Sequence, residues 1–257
     1  MATNAIALNG TTQYGLVSPN ALIDTMIPGT GTIEGWFWND TTTTEDYMQA
    51  ACIANIDSSV LSMRIETDQP GGNTGVNFAW DYDTTNADGY TASGVFDADA
   101  WVHIALVCTA SAVTKVYRNG TEISYNLQTP PSGTPTSPAG LYLVMGWDND
   151  ITSSYWKGKI GGFLRLWRRA LTTTEVRREM NNHLCSAFED GLLVNLKFRE
   201  ESGTTIENES SPSYPCNLVN TPSWTSGPDI VDKVYPSRNL AWNNVMRPAP
   251  FTPGLAR

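Results

Sequence analysis

The sequence predicts an all-β fold: two antiparallel sheets stacked as a sandwich, one short α-helix over about 172–184, and an extended C-terminal arm. Three observations predict it. Apolar and polar residues alternate over short runs along most of the chain, the period of strands buried on one face. Only one stretch changes period, where Val176, Met180 and Leu184 recur every four residues as a single helical stripe. From Pro228 neither period holds, and five prolines are mixed with large apolar side chains.

Taken in order, 6–17 and 31–39 read as two early strands separated by a Pro28-Gly29 turn, with Ile33, Gly35 and Phe37 facing one way and Trp36 and Trp38 the other. After a polar loop at 41–46, 47–56 and 60–66 form a further pair ended by Pro70-Gly71-Gly72. Residues 76–82 make an aromatic strand, and 83–94 a polar loop. Residues 101–109 and 115–117 lead into Asn119-Gly120, a type I′ hairpin signal, and on to Glu122-Ile123. Residues 129–140 carry four prolines and read as an exposed loop, after which 141–145 resumes the sheet.

Residues 156–184 organise the rest. From Ile160 the run alternates, with Leu164 and Leu166 on one face and Phe163 and either Arg165 or Trp167 on the other. Thr172 and Glu175 then form a Thr-x-x-Glu capping box, and the apolar stripe that follows needs a sheet to dock on. Beyond the helix, 192–198 is a strand, Ser202-Gly203 a turn, and 218–224 a final strand closing beside the first. The sandwich therefore takes residues 1–227 and the arm 228–257.

Composition narrows the functions. Net charge is −10 with 16% charged residues, so the counterion release that drives nucleic-acid binding has the wrong sign, and anionic membranes are equally poor partners. No apolar run approaches the roughly 20 residues of a membrane span. The start, MATNAIALNG, lacks the basic and apolar regions of a signal peptide, which implies synthesis in a cytoplasm and release by lysis, or a trimmed leader. Cys52, Cys108, Cys185 and Cys216 are widely spaced with no Cys-x-x-Cys pair, so they read as free thiols, Cys108 being a small core hydrophobe; a Cys185–Cys216 bridge is the alternative.

The strand, Arg169-Ala170-Leu171, Thr-rich cap and short helix together resemble the closing segment of laminin-G-like and pentraxin-like domains of the concanavalin A-type lectin/glucanase superfamily. Leu8-Asn9-Gly10-Thr11-Thr12-Gln13-Tyr14 resembles the family's opening strand, and Gly31-Thr32-Ile33-Glu34-Gly35-Trp36-Phe37 its second. Trp101-Val102-His103 resembles the Trp-x-His core strand, and Tyr117-Arg118-Asn119-Gly120 the hairpin after it. Residues 191–211 resemble a strand and turn that often begin such domains and here stand near the end. The resemblance implies a jelly-roll sandwich.

It also sets expectations for chemistry. Glucanases of the family carry Glu-x-Asp-x-x-Glu on one strand, a nucleophile and acid pair across the sugar bond. Here Glu66-Thr67-Asp68 continues Gln69-Pro70-Gly71, so the third acid is missing and no glycosidase is expected. His103, inside a core strand, reads as a hydrogen-bonded structural residue. Pentraxin-like domains bind calcium through an acid, amide, acid triplet that Asp148, Asn149 and Asp150 match, and through an Asp-Asn pair that Asp57-Ser58 matches in its first residue only; Asx-rich loops also serve simply as turns. A sugar site needs exposed rings beside polar groups, for which the candidates are Trp147, Tyr155, Trp156 and Tyr82, while Trp36, Trp101 and Trp167 read as core.

Tyr235, Leu240, Trp242, Met246, Phe251 and Leu255 are spaced as anchors for a neighbouring groove, and 247–257 resembles the ends of tailed-phage structural proteins that carry such domains. The expectation is a non-enzymatic virion surface protein, docked on capsid or tail proteins by its arm, binding host-surface glycans, with calcium as its candidate cofactor and a homo-oligomer as its candidate assembly. A secreted calcium-dependent carbohydrate-binding module is the alternative, and an active glucanase the third reading.

Overall fold

The computed structural model describes residues 2–19, 22–40, 47–55, 60–67, 75–96, 100–137, 140–147, 154–183 and 189–230. Among them are β1 (Ala2–Asn9), β2 (Tyr14–Val17), β3 (Gly31–Asn39), β4 (Gln49–Asn55), β5 (Val60–Thr67), β6 (Val76–Trp80), β7 (Ala87–Thr91), β8 (Trp101–Cys108), β9 (Lys115–Arg118), β10 (Thr121–Glu122), β11 (Tyr125–Gln128), β12 (Tyr142–Met145), β13 (Lys157–Trp167), β14 (Leu192–Leu196), β15 (Thr205–Ile206), β16 (Cys216–Val219) and β17 (Ser223–Asp229), with one helix, α1 (Thr173–Glu179), between β13 and β14. An eight-stranded sheet runs β10-β9-β8-β3-β13-β1-β17 with β14 also on β13, and a nine-stranded sheet runs β11-β7-β6-β5-β4-β12-β2-β16-β15. The two face each other over one core that includes Phe37, Phe78, Trp80, Trp156, Leu164 and Leu166. This is the expected antiparallel jelly-roll sandwich.

β13 is the central strand of its sheet. One edge pairs with β3 along most of its length, while the other is shared by β1 and β14. Leu164 and Leu166 face the core, and Phe163, Arg165 and Trp167 the outside, where α1 lies. The β3 register slips between Gly161 and Leu164, and Gly162 at the slip has φ 66°, a conformation that only glycine adopts without strain.

The helix begins as its sequence requires. The Thr172 hydroxyl accepts from the Glu175 backbone N–H, and the Glu175 carboxylate accepts from that of Thr172. It ends sooner than the apolar stripe suggests, with Met180 as C-cap, and Leu184 lies outside the described residues. Val176 docks with Ala105, Val107, Tyr117, Trp167, Leu171 and Leu192 on the eight-stranded sheet.

The early stop has a physical cause in Arg165. Its guanidinium donates from Nη1 to the Glu179 carbonyl (3.2 Å), from Nη2 to the Asn182 carbonyl, and from Nε to Asn195 Oδ1 (3.1 Å). A sheet residue thus caps the carbonyls at the helix end, where the dipole is negative. Around it Glu34, His103 and Glu179 are, like Arg165, fully buried. Glu34 Oε1 and Glu179 Oε2 each lie 3.8 Å from Arg165 Nη1, and Glu34 accepts from the Trp167 indole (2.9 Å).

Several elements differ from the hydrophobic pattern. The opening strand is two strands in opposite sheets, broken at Gly10 (φ 74°), where Asn9 Oδ1 accepts the N–H groups of Thr11, Thr12 and Gln13. The closing strand is likewise two, β16 and β17, with a corner at Asn220 and Thr221 (φ 57° and 48°). β17 closes beside β1 as expected, but it runs to Asp229 and Ile230 is 1% exposed, so the sandwich takes in residues assigned to the arm. β7 lies in the expected polar loop, its inward positions Ala87 and Gly89 being too small to register as alternation. Trp36 and Trp101 are half-buried on the outer face of the eight-stranded sheet rather than in the core, and Trp167 is buried beneath α1. His103 is buried but not hydrogen-bonded through its ring; it sits against the Trp36 and Phe163 rings, with Nε2 3.4 Å from Glu34 Oε2.

Cys52, Cys108 and Cys216 are buried free thiols, and Cys185 lies outside the described residues. Burial pushes the Cys108 thiol from its ordinary 9.0 up to about 12, and that of Cys216 upward too. In the unfolded chain these protons leave near pH 9, whereas in the folded chain they stay, so their contribution to stability falls as pH rises above about 9. Alkylation at pH 8 mapped by mass spectrometry should leave Cys108 and Cys216 unmodified until the protein is denatured. Arg165→Met, which leaves Glu34 and Glu179 buried without their cation, should cost about 3–5 kcal/mol in urea titration. Thr172→Ala should cost about 1 kcal/mol by the same measurement.

Candidate functional site

The outer face of the eight-stranded sheet carries α1; among the described residues no helix lies on the outer face of the nine-stranded sheet, although its central residues Cys52, Ala54 and Val144 are fully buried. Strand register places Asn217, Leu16, Val144, Cys52, Arg64, Ala79 and Asp88 in one row across six adjacent pairings. Their chain neighbours Val17, Leu143, Ile53, Met63 and Phe78 point into the core, so by the alternation of strands this row points out. Its middle is buried: Val144, Cys52 and Ala54, each 0% exposed, form a small cluster against which Leu16, Tyr142 and Trp147 pack.

Rings stand on one side of this floor. Trp147 and Tyr155 stack at 6.1 Å between centroids with 17° between planes, and Tyr14 lies 4.7 Å from Trp147 and 6.2 Å from Tyr155. All three are half-buried. Tyr14 projects from β2 beside Leu16, Trp147 follows β12 and rests with Leu16 and Tyr142 on the small cluster, and Tyr155 is fixed by a bridge to Gln49 of β4. Burial, with Tyr14 close by, raises the Tyr155 phenol above its ordinary value, so it remains an O–H donor.

Charges stand on the other side. Arg64 donates to Asp81 Oδ1 at 3.2 Å and lies 3.5 Å from Glu66 Oε1. Two strands further along the row from Arg64 is Asp88, whose Oδ1 is buried with no hydrogen-bond partner; the Trp147 Nε1 donor is in the same condition. From β12 to β5 is two strand spacings, roughly 10 Å, which separates the strand that leads into Trp147 from the one that carries Arg64.

The sequence-predicted ring residues divide evenly. Trp147 and Tyr155 come together, joined by Tyr14, which was not singled out because it stands inside the opening strand motif. Trp156 does not belong with them: it is 0% exposed, with its ring edge-on to Phe37 and Phe96 in the core. Tyr82 is 9% exposed and part of the core cluster, with its hydroxyl accepting from the Ser111 N–H (3.4 Å). Alternation explains Trp156, since it is the half-buried Tyr155 beside it that faces out.

The calcium candidates Asp57, Asp148, Asn149 and Asp150 lie outside the described residues, as do Tyr235, Leu240, Trp242, Met246, Phe251 and Leu255. Among the described residues no group of three or more His, Cys, Asp or Glu is placed to hold a metal ion. Glu66, first of the incomplete acid motif, is nearly buried beside Arg64, and Asp68 lies outside the described residues. No helix among the described residues is long and apolar enough to cross a membrane.

A two-sheet sandwich with an outward face of rings and polar groups is the architecture of lectin-like domains. Residues 9–177 match the family model Laminin_G_3, described as concanavalin A-like lectin/glucanases superfamily, and the chain belongs to that superfamily. Among solved structures, a protein of Bacteroides ovatus assigned as carbohydrate-binding superposes with a TM-score of 0.61 at 15% identity, over 88% of this chain and 60% of that one. The chain thus spans 60% of that protein's length. The native heptameric SAP-like pentraxin of Limulus polyphemus superposes with a TM-score of 0.55 at 12% identity, over 91% of this chain and 98% of that one. At these identities the likeness is one of fold. No curated protein matches the sequence significantly.

Proposed function

We propose that the protein is a non-enzymatic glycan-binding protein, and that the outer face of the nine-stranded sheet is its binding face. The observation that carries this is the half-buried ring cluster of Tyr14, Trp147 and Tyr155, with the polar side chains of Arg64, Asp81, Glu66 and Asp88 on the same sheet face. Sugar faces stack on rings while their hydroxyls need fixed polar partners, and this face offers both. The carbohydrate-binding assignment of the Bacteroides ovatus protein supports the reading. Against hydrolysis stands the engagement of Glu66 and Asp81 with one guanidinium, where a glycosidase needs one carboxyl kept protonated to act as acid.

The setting we propose is the surface of a tailed-phage virion. The arm would attach the protein to capsid or tail proteins through Tyr235, Leu240, Trp242, Met246, Phe251 and Leu255, spaced apolar anchors on a proline-rich segment. Calcium, if used, would be held by the hard oxygens of Asp148, Asn149, Asp150 and Asp57. A secreted carbohydrate-binding module would use the same face and differ in what the arm meets.

On a glycan array, Trp147→Ala should weaken binding to the recognised glycans tenfold or more with the melting temperature kept; undiminished binding would place the site elsewhere. Repeating the array with a chelator tests the calcium ligands, whose involvement predicts loss of signal. Removing 231–257 should abolish incorporation into particles while glycan binding persists, and retained incorporation would remove the arm from the attachment.

A further inference from the structure

We infer that the protein carries a second sugar site, on the outer face of the eight-stranded sheet, that takes a pyranose bearing a carboxylate, as in a uronic or sialic acid. The site shares no residue with the nine-stranded face, and it rests on the glycan-binding reading above only for the kind of ligand. α1 covers the eight-stranded sheet as far as Trp36, whose indole N–H donates to the Met180 carbonyl (3.2 Å). One outward row further along the strands, register places Ala7, Lys159, Trp38 and Trp101 side by side on β1, β13, β3 and β8. Their chain neighbours Ile6, Leu8, Ile160, Phe37 and Val102 are in the core, so this row points out. All four residues are half-buried, so solvent reaches the middle of the row as well as its ends.

Two features of the row suit a sugar. Trp38 and Trp101 are cross-strand partners, so two indoles are rooted one strand spacing, roughly 5 Å, apart. Pyranose faces stack on such rings, and indole N–H groups donate to hydroxyls. Trp36, Trp80, Trp167 and Trp224 give that donor to protein acceptors, whereas the N–H groups of Trp38 and Trp101 have no acceptor among the described residues. A third feature sets the charge. Lys115, Lys157 and Lys197 each lie within 3.5 Å of a carboxylate. Lys159, the remaining lysine of the described residues, has no carboxylate partner among them; its Nζ lies over the Trp38 ring, 4.6 Å from the centroid. On a chain of net charge −10 this ammonium stands without a counterion of its own, held by a ring one strand spacing from Trp101. A pyranose seated on Trp101 meets it with its ring carboxylate, a charge-assisted contact that a neutral sugar lacks. Lys157, two residues earlier on the same face, is engaged by Asp40 at 3.5 Å. Lys159 is therefore the specificity-determining residue and Trp101 the platform.

The test uses the full chain on matched pairs of oligosaccharides, one member ending in glucuronic acid or N-acetylneuraminic acid and the other being its neutral parent, at low and high salt. In the uronic or the sialic arm the acidic member should bind about fivefold or more tightly than its parent, with the gap narrowing at high salt; the arm that shows the gap identifies the sugar. Lys159→Gln should close the gap, and Trp101→Ala should weaken the acidic members about tenfold. Melting temperatures are recorded for both variants, and Lys159→Gln decides alone if Trp101→Ala does not fold. Acidic members bound no better than their parents would overturn the inference, and the nine-stranded face would stand if the parents still bind. A gap unchanged in Lys159→Gln would overturn the assignment to this row, as would acidic binding that is lost in Trp147→Ala and kept in Trp101→Ala. Binding of neither member of any pair would overturn this site and the glycan-binding reading together.

Discussion

The rest of the sandwich depends on how Arg165 is held. It stands on the strand that pairs with β3, β1 and β14, so its position is set by three strand pairings. Its guanidinium then terminates α1 through the Glu179 and Asn182 carbonyls and lies between the carboxylates of Glu34 and Glu179. Buried charges of this kind add little net stability compared with apolar packing, but removing one partner is costly. What the arrangement supplies is specification of where the helix ends and which face it covers.

That choice leaves the molecule with two unlike faces. Over the eight-stranded sheet, α1 and the buried polar groups close the surface, and the half-buried Trp36 lends its indole N–H to the Met180 carbonyl (3.2 Å). Over the nine-stranded sheet, among the described residues, no helix lies on Val144, Cys52 and Ala54; these are buried beneath Leu16, Tyr142 and Trp147, and Trp147 groups with Tyr155 and Tyr14. The asymmetry is a property of one sandwich whose two outer surfaces received different side chains.

Much of this was legible in the sequence because it is local. The capping box at Thr172, the Asn119-Gly120 hairpin with φ of 48° and 75°, and the alternation of Leu164 and Leu166 against Phe163 and Arg165 each depend on residues close together in the chain. What was not legible depends on pairing across long distances. The breaks at Gly10 and at Asn220-Thr221 look like short turns within strands, yet each carries the chain from one sheet to the other. The candidate face divides in the same way. Trp147 and Tyr155 were identifiable as rings flanking one loop, but Tyr14 and Arg64 join them only through the register of β2, β12, β4 and β5. Trp156 and Tyr82 were misplaced because an aromatic residue near a loop can point either way.

The two corners also settle how the polypeptide could be rewired. They lie side by side, with the Gln13 amide donating to the Asn220 and Thr221 carbonyls and the Asn220 amide to that of Thr12. The first described residue, Ala2, pairs with Asp229 at the far end of the sandwich. The path through the described strands thus ends beside where it begins, with β17 paired to β1. With residues 231–257 removed, a short linker from β17 to β1 and new ends cut at Gly203, in the turn before β15, would give the same strands from a circularly permuted gene.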